Sequence, residues 1–217
     1  MQLLTIPFKK SADLAIYLSA SALVTAMTLY GDGDYAGARD ACLKGLERLQ
    51  ANPWFSITLS ASHINLGEYE AAQAVLEPLL VAASTESPTI RAAIMNNLAV
   101  ALWLRATNTS LEVESTERAE VLSNCAYTMY PCVLAYRSTR ALMLTATHRP
   151  HEALALLEYS NYERGSVSER GDRQVARALA LRQLNRIEEA DIALAAGIKL
   201  NKAQLPWLTT LGLISPG

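Results

Sequence analysis

Three histidines and three cysteines are the side chains of this 217-residue sequence with the widest scope for chemistry. An imidazole serves as general base only beside the nucleophile it activates. His63, His148 and His151 have no sequence-local Ser or Cys partner. His63 falls in a helical stretch where a packed or hydrogen-bonded ring is expected. Cys125, Cys132, His148 and His151 carry zinc-ligand atoms, but the cysteines are not at the short spacing of zinc sites. Gly165-Ser166-Val167-Ser168 lacks the Lys and the strand-to-helix setting of a phosphate cradle. There is no dinucleotide fingerprint and no Gly-x-Ser-x-Gly elbow. No catalytic residue, cofactor or metal site is assigned, and a non-enzymatic protein is expected.

The elements that carry these residues are helical and repeated. Ala38, Ala72, Ala119, Ala153 and Ala190 recur at intervals of 34, 47, 34 and 37 residues. Gly33-Asp34-Tyr35-Ala36-Gly37-Ala38 aligns without gaps on Gly67-Glu68-Tyr69-Glu70-Ala71-Ala72. Weaker copies begin at His148 and Asn185 and end at Ala153 and Ala190. Gly33 and Gly67 stand where a first helix must end in a tight turn, and glycine permits positive φ there. Pro53 and Pro131 fall near hairpin boundaries, where a missing N–H is tolerated.

This phrase and its period resemble the tetratricopeptide repeat (TPR), a pair of antiparallel helices with small residues at fixed positions. The small eighth position is Ala26, Ser60, Ala99, Ala141 and Ala178, and the twentieth is the alanine series. The twenty-fourth is Cys42, Leu76, Leu157 and Leu194, with Ser123 a departure. The twenty-seventh is Gly45, Ala126, Ser160 and Gly197, with Leu79 a departure. Small side chains let helix backbones approach, and large ones fill the space between hairpins. The resemblance covers roughly residues 19 to 201. It implies an all-α, right-handed α-solenoid of about five hairpins, with a concave groove lined by the first, or A, helices. The expected hairpins are about 19–52, 53–88, 92–131, 134–168 and 171–201, in one domain spanning 1–217, with a C-terminal cap or docking segment over 202–217. The longer intervals are assigned to loops at 81–88, 108–115 and 164–168.

Composition agrees with an all-α chain. It is 51% hydrophobic and only 6% aromatic, with no alternating strand pattern. A net charge of −2 offers no electrostatic argument for nucleic acid. Arginines of the C-terminal third are matched by acids, which reads as a solvated, salt-bridged face. An odd number of cysteines, one at an apolar repeat position, suits a reducing, cytoplasmic compartment. Leu14 to Tyr30 holds no charged residue. It is read as a buried first helix capped by Asp13, in register with the first hairpin. The alternative is a membrane-associated regulatory or assembly factor anchored through this segment.

Repeats of this kind imply a protein or peptide partner. The A-helix register places Leu23, Val24, Met27 and Tyr30 on the groove, followed by Trp54, Ile57, Thr58, Ala61 and Ile64. Further along come Asn96, Asn97, Val100 and Trp103, then Ser138, Thr139, Leu142 and Thr145, and finally Val175, Leu179 and Arg182. Met27, Tyr30, Trp54, Ile57, Asn96, Asn97, Trp103 and Arg182 are the candidate partner-binding residues. Trp, Tyr and Met anchor interfaces, and amides bond peptide backbones. Leu23, Met27, Thr58 and Ala93 replace the basic and amide set with which some relatives clamp a terminal carboxylate. An apolar or amphipathic peptide segment is the expected ligand. Trp54 and Trp103 packing between hairpins is the alternative. Arg140 and Arg177 occupy a normally apolar position, so Arg140 is expected to pair with Glu117 or Glu120. The apolar segment after Asn201 is expected to cover the last hairpin or to dock on another subunit.

Overall fold

A computed structural model describes residues 11–48, 52–82, 87–109, 113–158, 165–200 and 206–213. Among them are eleven helices and no strand. The first ten form pairs: α1 (Ser11–Gly31) with α2 (Tyr35–Arg48), α3 (Pro53–Asn65) with α4 (Tyr69–Ala82), and α5 (Pro88–Thr109) with α6 (Val113–Met129). α7 (Leu134–Ala146) pairs with α8 (Pro150–Glu158), and α9 (Val167–Gln183) with α10 (Ile187–Leu200). The short α11 (Pro206–Thr210) follows. Each of α1, α3, α5, α7 and α9 touches the next in that series, so the A helices make a continuous layer.

The turn that ends an A helix is built four times in the same way. Gly33 and Gly67 adopt φ of 84° and 79°, and His148 and Asn185 adopt 59° and 58° at the aligned positions. The residue after each donates its N–H five residues back: Asp34 to Leu29, Glu68 to His63, Arg149 to Leu144 and Arg186 to Leu181, at 2.8–3.0 Å. This satisfies carbonyls that a helix end leaves open and points the chain into the B helix. Pro53 opens α3 behind Asn52, whose side chain accepts the Trp54 N–H at 3.1 Å.

Small residues sit where helices meet. Ala38, Ala72, Ala119, Ala153 and Ala190 are all fully buried, as are Ala26, Ser60, Ala99, Ala141 and Ala178. Cys42, Leu76 and Leu157 are fully buried too, and Ser123 is 1% exposed despite its different chemistry, donating to the Glu120 carbonyl. Ser160 lies outside the described residues, as do 83–86, 110–112, 159–164 and 201–205.

Several expectations are corrected. α1 begins at Ser11, two residues before Asp13, so Asp13 stands inside the helix rather than capping it. The extra length of the third repeat goes largely into helix rather than loop: α5 runs 22 residues and α6 already starts at Val113. Ile57 is only 7% exposed and belongs to the core rather than to an open groove, and Trp103, also 7% exposed, takes the alternative given for it, packing between hairpins. The C-terminal apolar segment reaches back to α3 and α5, where Leu208 and Leu213 are buried and Tyr69 shares a hydrogen bond with Thr210. Leu14 to Tyr30 lies within α1, but of its side chains from Ala20 onward only Ala26 is buried, with Val24 62% and Met27 53% exposed, so it is not the buried helix expected; among the described residues no helix is long and apolar enough to cross a membrane.

Arg140 meets the expected acid. Both its terminal nitrogens lie 3.3 Å from Glu120 Oε1, which also accepts from Arg149 at 2.9 Å. Arg140 is 9% exposed, so its guanidinium needs this carboxylate.

Candidate functional site

The A helices line a half-open cavity of about 390 Å³. α1 contributes Tyr30, and α3 contributes Ala61, Ile64 and Asn65. Asn96, Asn97 and Val100 come from α5, and Ala135, Ser138, Thr139 and Leu142 from α7. The N-terminal end of α9 closes it with Ser166, Ser168, Glu169 and Asp172. All five repeats therefore meet at one place.

Local structure explains how these groups are held. Ser166 caps α9 through a reciprocal box: its hydroxyl accepts the Glu169 N–H at 3.2 Å, and Glu169 Oε2 accepts the Ser166 N–H at 2.7 Å. Asn65 donates to the Tyr30 hydroxyl at 3.0 Å and to the Ala61 carbonyl at 2.9 Å. Asn97 bridges from α5 to α3, donating to the Ile57 carbonyl and Ser60 Oγ, both at 3.3 Å. Asn96 Nδ2 donates to Asn97 Oδ1 at 3.3 Å.

The electrostatics are negative. Burial, then the charge of Asp172 and the neighbouring Tyr35, hold the Tyr30 phenol above the ordinary tyrosine range; the Asn65 hydrogen bond opposes them. Tyr35, its ring centroid 5.2 Å from that of Tyr30, is pushed up to about 12 by burial and then Asp172. Asp172 and Glu169 belong to α9 and Tyr30 to α1, so the first and fifth repeats sense each other across the cavity.

Of the eight candidate residues, Tyr30, Asn96 and Asn97 line the cavity. Met27 is 53% exposed on α1 and is not among the lining residues. Trp54 is partly buried against the core, and Ile57 and Trp103 are inside it. Arg182 is ion-paired with Asp191 at 3.2 Å. Register alone missed Asn65, Ala135 and the Ser166–Asp172 group. The signal available for the last was the Ser-x-x-Glu capping phrase at 166–169, which starts α9 earlier than the repeat register does.

The other chemistry-bearing residues have structural surroundings. His63 Nδ1 is 2.5 Å from Glu68 Oε2, and Glu68 Oε1 accepts from Arg39 at 2.8 Å, tying α2 to the α3–α4 turn. His148 forms a turn, and its Nδ1 lies 3.4 Å from Gln183 Nε2. Among the described residues no group of three or more His, Cys, Asp or Glu could hold a metal ion. Burial pushes the Cys42 thiol up to about 11.

No family model and no curated protein matches the sequence. Solved structures do match. A thermophilic TPR protein of Thermus thermophilus superposes with a TM-score of 0.65 at 18% identity, covering 90% of this chain and 100% of that chain. MamA of MSR-1 superposes at 0.50 and 15% identity, over 87% of this chain and 97% of that chain. Identities this low speak to architecture alone, and with the repeated turns and buried small residues they give one answer: the chain has the tetratricopeptide-type fold, a right-handed α-solenoid.

Proposed function

We propose that this protein is a non-enzymatic interaction scaffold that holds a peptide segment of a partner protein against its A-helix layer. The supporting observation is the cavity itself, to which all five A helices contribute. A volume near 390 Å³ lies within the roughly 300–1,000 Å³ usual for ligand sites. Its walls mix apolar side chains with fixed amides and hydroxyls, which suits a peptide with both a side chain to bury and a backbone to bond. The ligand expected from sequence, an apolar or amphipathic segment, is thereby given polar requirements as well.

The test is peptide binding by the full chain. Random octapeptides selected on the wild-type protein are compared for binding to Ala61→Phe, which fills the cavity from α3. Loss of binding with an unchanged helical circular dichroism spectrum is the expected result. Undiminished binding to the folded variant would place the peptide elsewhere and overturn the reading.

A further inference from the structure

The turn that ends an A helix occurs once more, in α11. Leu181 to Ile187 reads Leu-x-x-Leu-Asn-x-Ile, and Leu208 to Ile214 reads Leu-x-x-Leu-Gly-x-Ile. The backbone repeats with the sequence. Asn185 donates its N–H to the Arg182 carbonyl and Arg186 to the Leu181 carbonyl; Gly212 donates to Thr209 and Leu213 to Leu208, all at 2.9–3.0 Å. Asn185 and Gly212 both take the left-handed conformation, with φ of 58° and 64°. α11 is therefore the closing turn of an A helix, shortened to five residues.

Its seat breaks the order of the array. α3, α5, α7 and α9 each pack on the hairpin before them, so the regular seat for the next A helix is against α9 and α10. α11 packs instead chiefly on α5 and α3. The Leu213 to Leu208 hydrogen bond fixes the spacing of two leucines that are 7% and 3% exposed, with Leu211 partly buried against the same core. Tyr69, 2% exposed at the start of α4, shares a hydrogen bond with Thr210 Oγ1 at 3.3 Å. This is how a short helical turn is recognised: apolar anchors at fixed spacing and a polar contact beside them. Among the described residues of this segment, none lines the cavity, so the seat is separate from it. A single turn is too short to be stable alone, and its order comes from the seat. Its release leaves the pairs α1 to α10 with their own neighbours.

We propose that residues 206–213 are a built-in competitor: they close, in cis, a docking seat on α3, α5 and Tyr69 for a partner segment carrying the same Leu-x-x-Leu-Gly-Leu turn. This goes beyond the scaffold reading, adding a second seat and the device that keeps it shut.

The probe is an end-capped, fluorescein-labelled peptide with the sequence of residues 206–217, titrated by anisotropy against the full chain. Two variants open the seat. Leu208→Ser with Leu213→Ser removes the apolar anchors. Gly212→Ala adds a Cβ that meets nothing within 4 Å, so it acts only by disfavouring the left-handed turn. An effective cis concentration on the order of 1 mM shuts the wild-type seat to a micromolar probe, so the double variant should bind roughly tenfold or more tightly than wild type. Gly212→Ala should bind several-fold more tightly than wild type. The same Gly212→Ala change made in the peptide should weaken it several-fold, and a peptide with both leucines changed to serine should not bind. A segment that served only as core would not give one substitution opposite effects in cis and in trans. Equal binding by wild type and both variants, no binding by the folded variants, binding of the serine peptide, or loss of the helical circular dichroism spectrum in Gly212→Ala would overturn the proposal. The octapeptides selected for the cavity do not enter this titration, so either reading can fail alone.

Discussion

Gly45→Ala is the sharpest test of how the small residues hold the array together. Gly45 is buried in α2, against Phe55 at the start of α3. A Cβ added there would lie 2.7 Å from Phe55 Cδ1 and Cζ, and nearer still to Cε1. Ordinary carbon contacts begin at about 3.5 Å, so α2 or the ring must yield by roughly 1 Å. Phe55 is fully buried in a satellite cluster with Ala26, Cys42 and Leu59, which leaves the ring little room. Overpacking of this kind costs about 1–3 kcal/mol. Replacing a helical glycine returns up to about 1 kcal/mol. The net expectation is a loss of roughly 1–2 kcal/mol, or a fall in melting temperature of roughly 2–8 °C. Because α1 and α2 pack on each other and on α3, the loss should be local. Hydrogen exchange should speed up in α1 and α2 and hardly change in α7 to α10. Gly31→Ala is the control: a Cβ there meets nothing within 4 Å, and the variant should be unchanged or more stable. Phe55→Leu should rescue Gly45→Ala in a double-mutant cycle with about 1 kcal/mol of coupling. Melting of Gly45→Ala at or above wild type, or strict additivity with Phe55→Leu, would refute the close-approach argument.

Three further outcomes follow from the same structure. His148→Gly should stabilise the fold by about 0.5–1 kcal/mol, since a left-handed conformation costs an L-residue about 1–2 kcal/mol and glycine returns some of that as chain entropy; chemical denaturation reads it, and Asn185→Gly should gain less because asparagine tolerates the region. Glu77 lies below the usual carboxylate range, first because Arg118 donates to both its oxygens, at 2.6 and 2.7 Å. Its folded value is the lower one, so its contribution is present above the unfolded carboxylate range and is lost as pH falls through the folded value; Glu77→Gln should flatten the acid limb of a stability–pH curve while costing at most about 1 kcal/mol at neutral pH, the pair being partly exposed and screened by solvent. Cys132 is exposed whereas Cys42 is fully buried with its thiol raised to about 11, so a thiol reagent should label Cys132 in the native protein and Cys42 only on unfolding.

Much of the architecture is legible in single residues. A small side chain every repeat is a local record of where two helices must touch, and each alanine of that series proves fully buried. The Gly33 and Gly67 turns also reveal the His148 and Asn185 turns, because the alignment carries a backbone conformation rather than a residue type. Arg140 and Glu120 could be paired because neighbouring helices bring an unusual buried cation to the nearest acid. The lengths of α5 and α6 differ from the sequence reading, since Thr and Ser near 108–115 read as loop while α5 runs to Thr109 and α6 starts at Val113.

Function was less legible because the groove depends on curvature. Repeat register says which residues leave an A helix on the inner side. It does not say how far the next helix leans over them. Trp103 and Ile57 are inner by register and buried by packing. Glu169 and Asp172 looked like members of a neutral, solvated face, yet they approach Tyr30 from the opposite end of the chain. By itself the sequence determined the local, repeating part of this protein: helix pairs, turns, and small residues at each contact, all set by interactions within one or two neighbouring repeats. The tertiary structure alone decided the cavity, because its lining comes from helices up to four repeats apart, from Tyr30 on α1 to Asp172 on α9, and only the accumulated bend of the array brings them together.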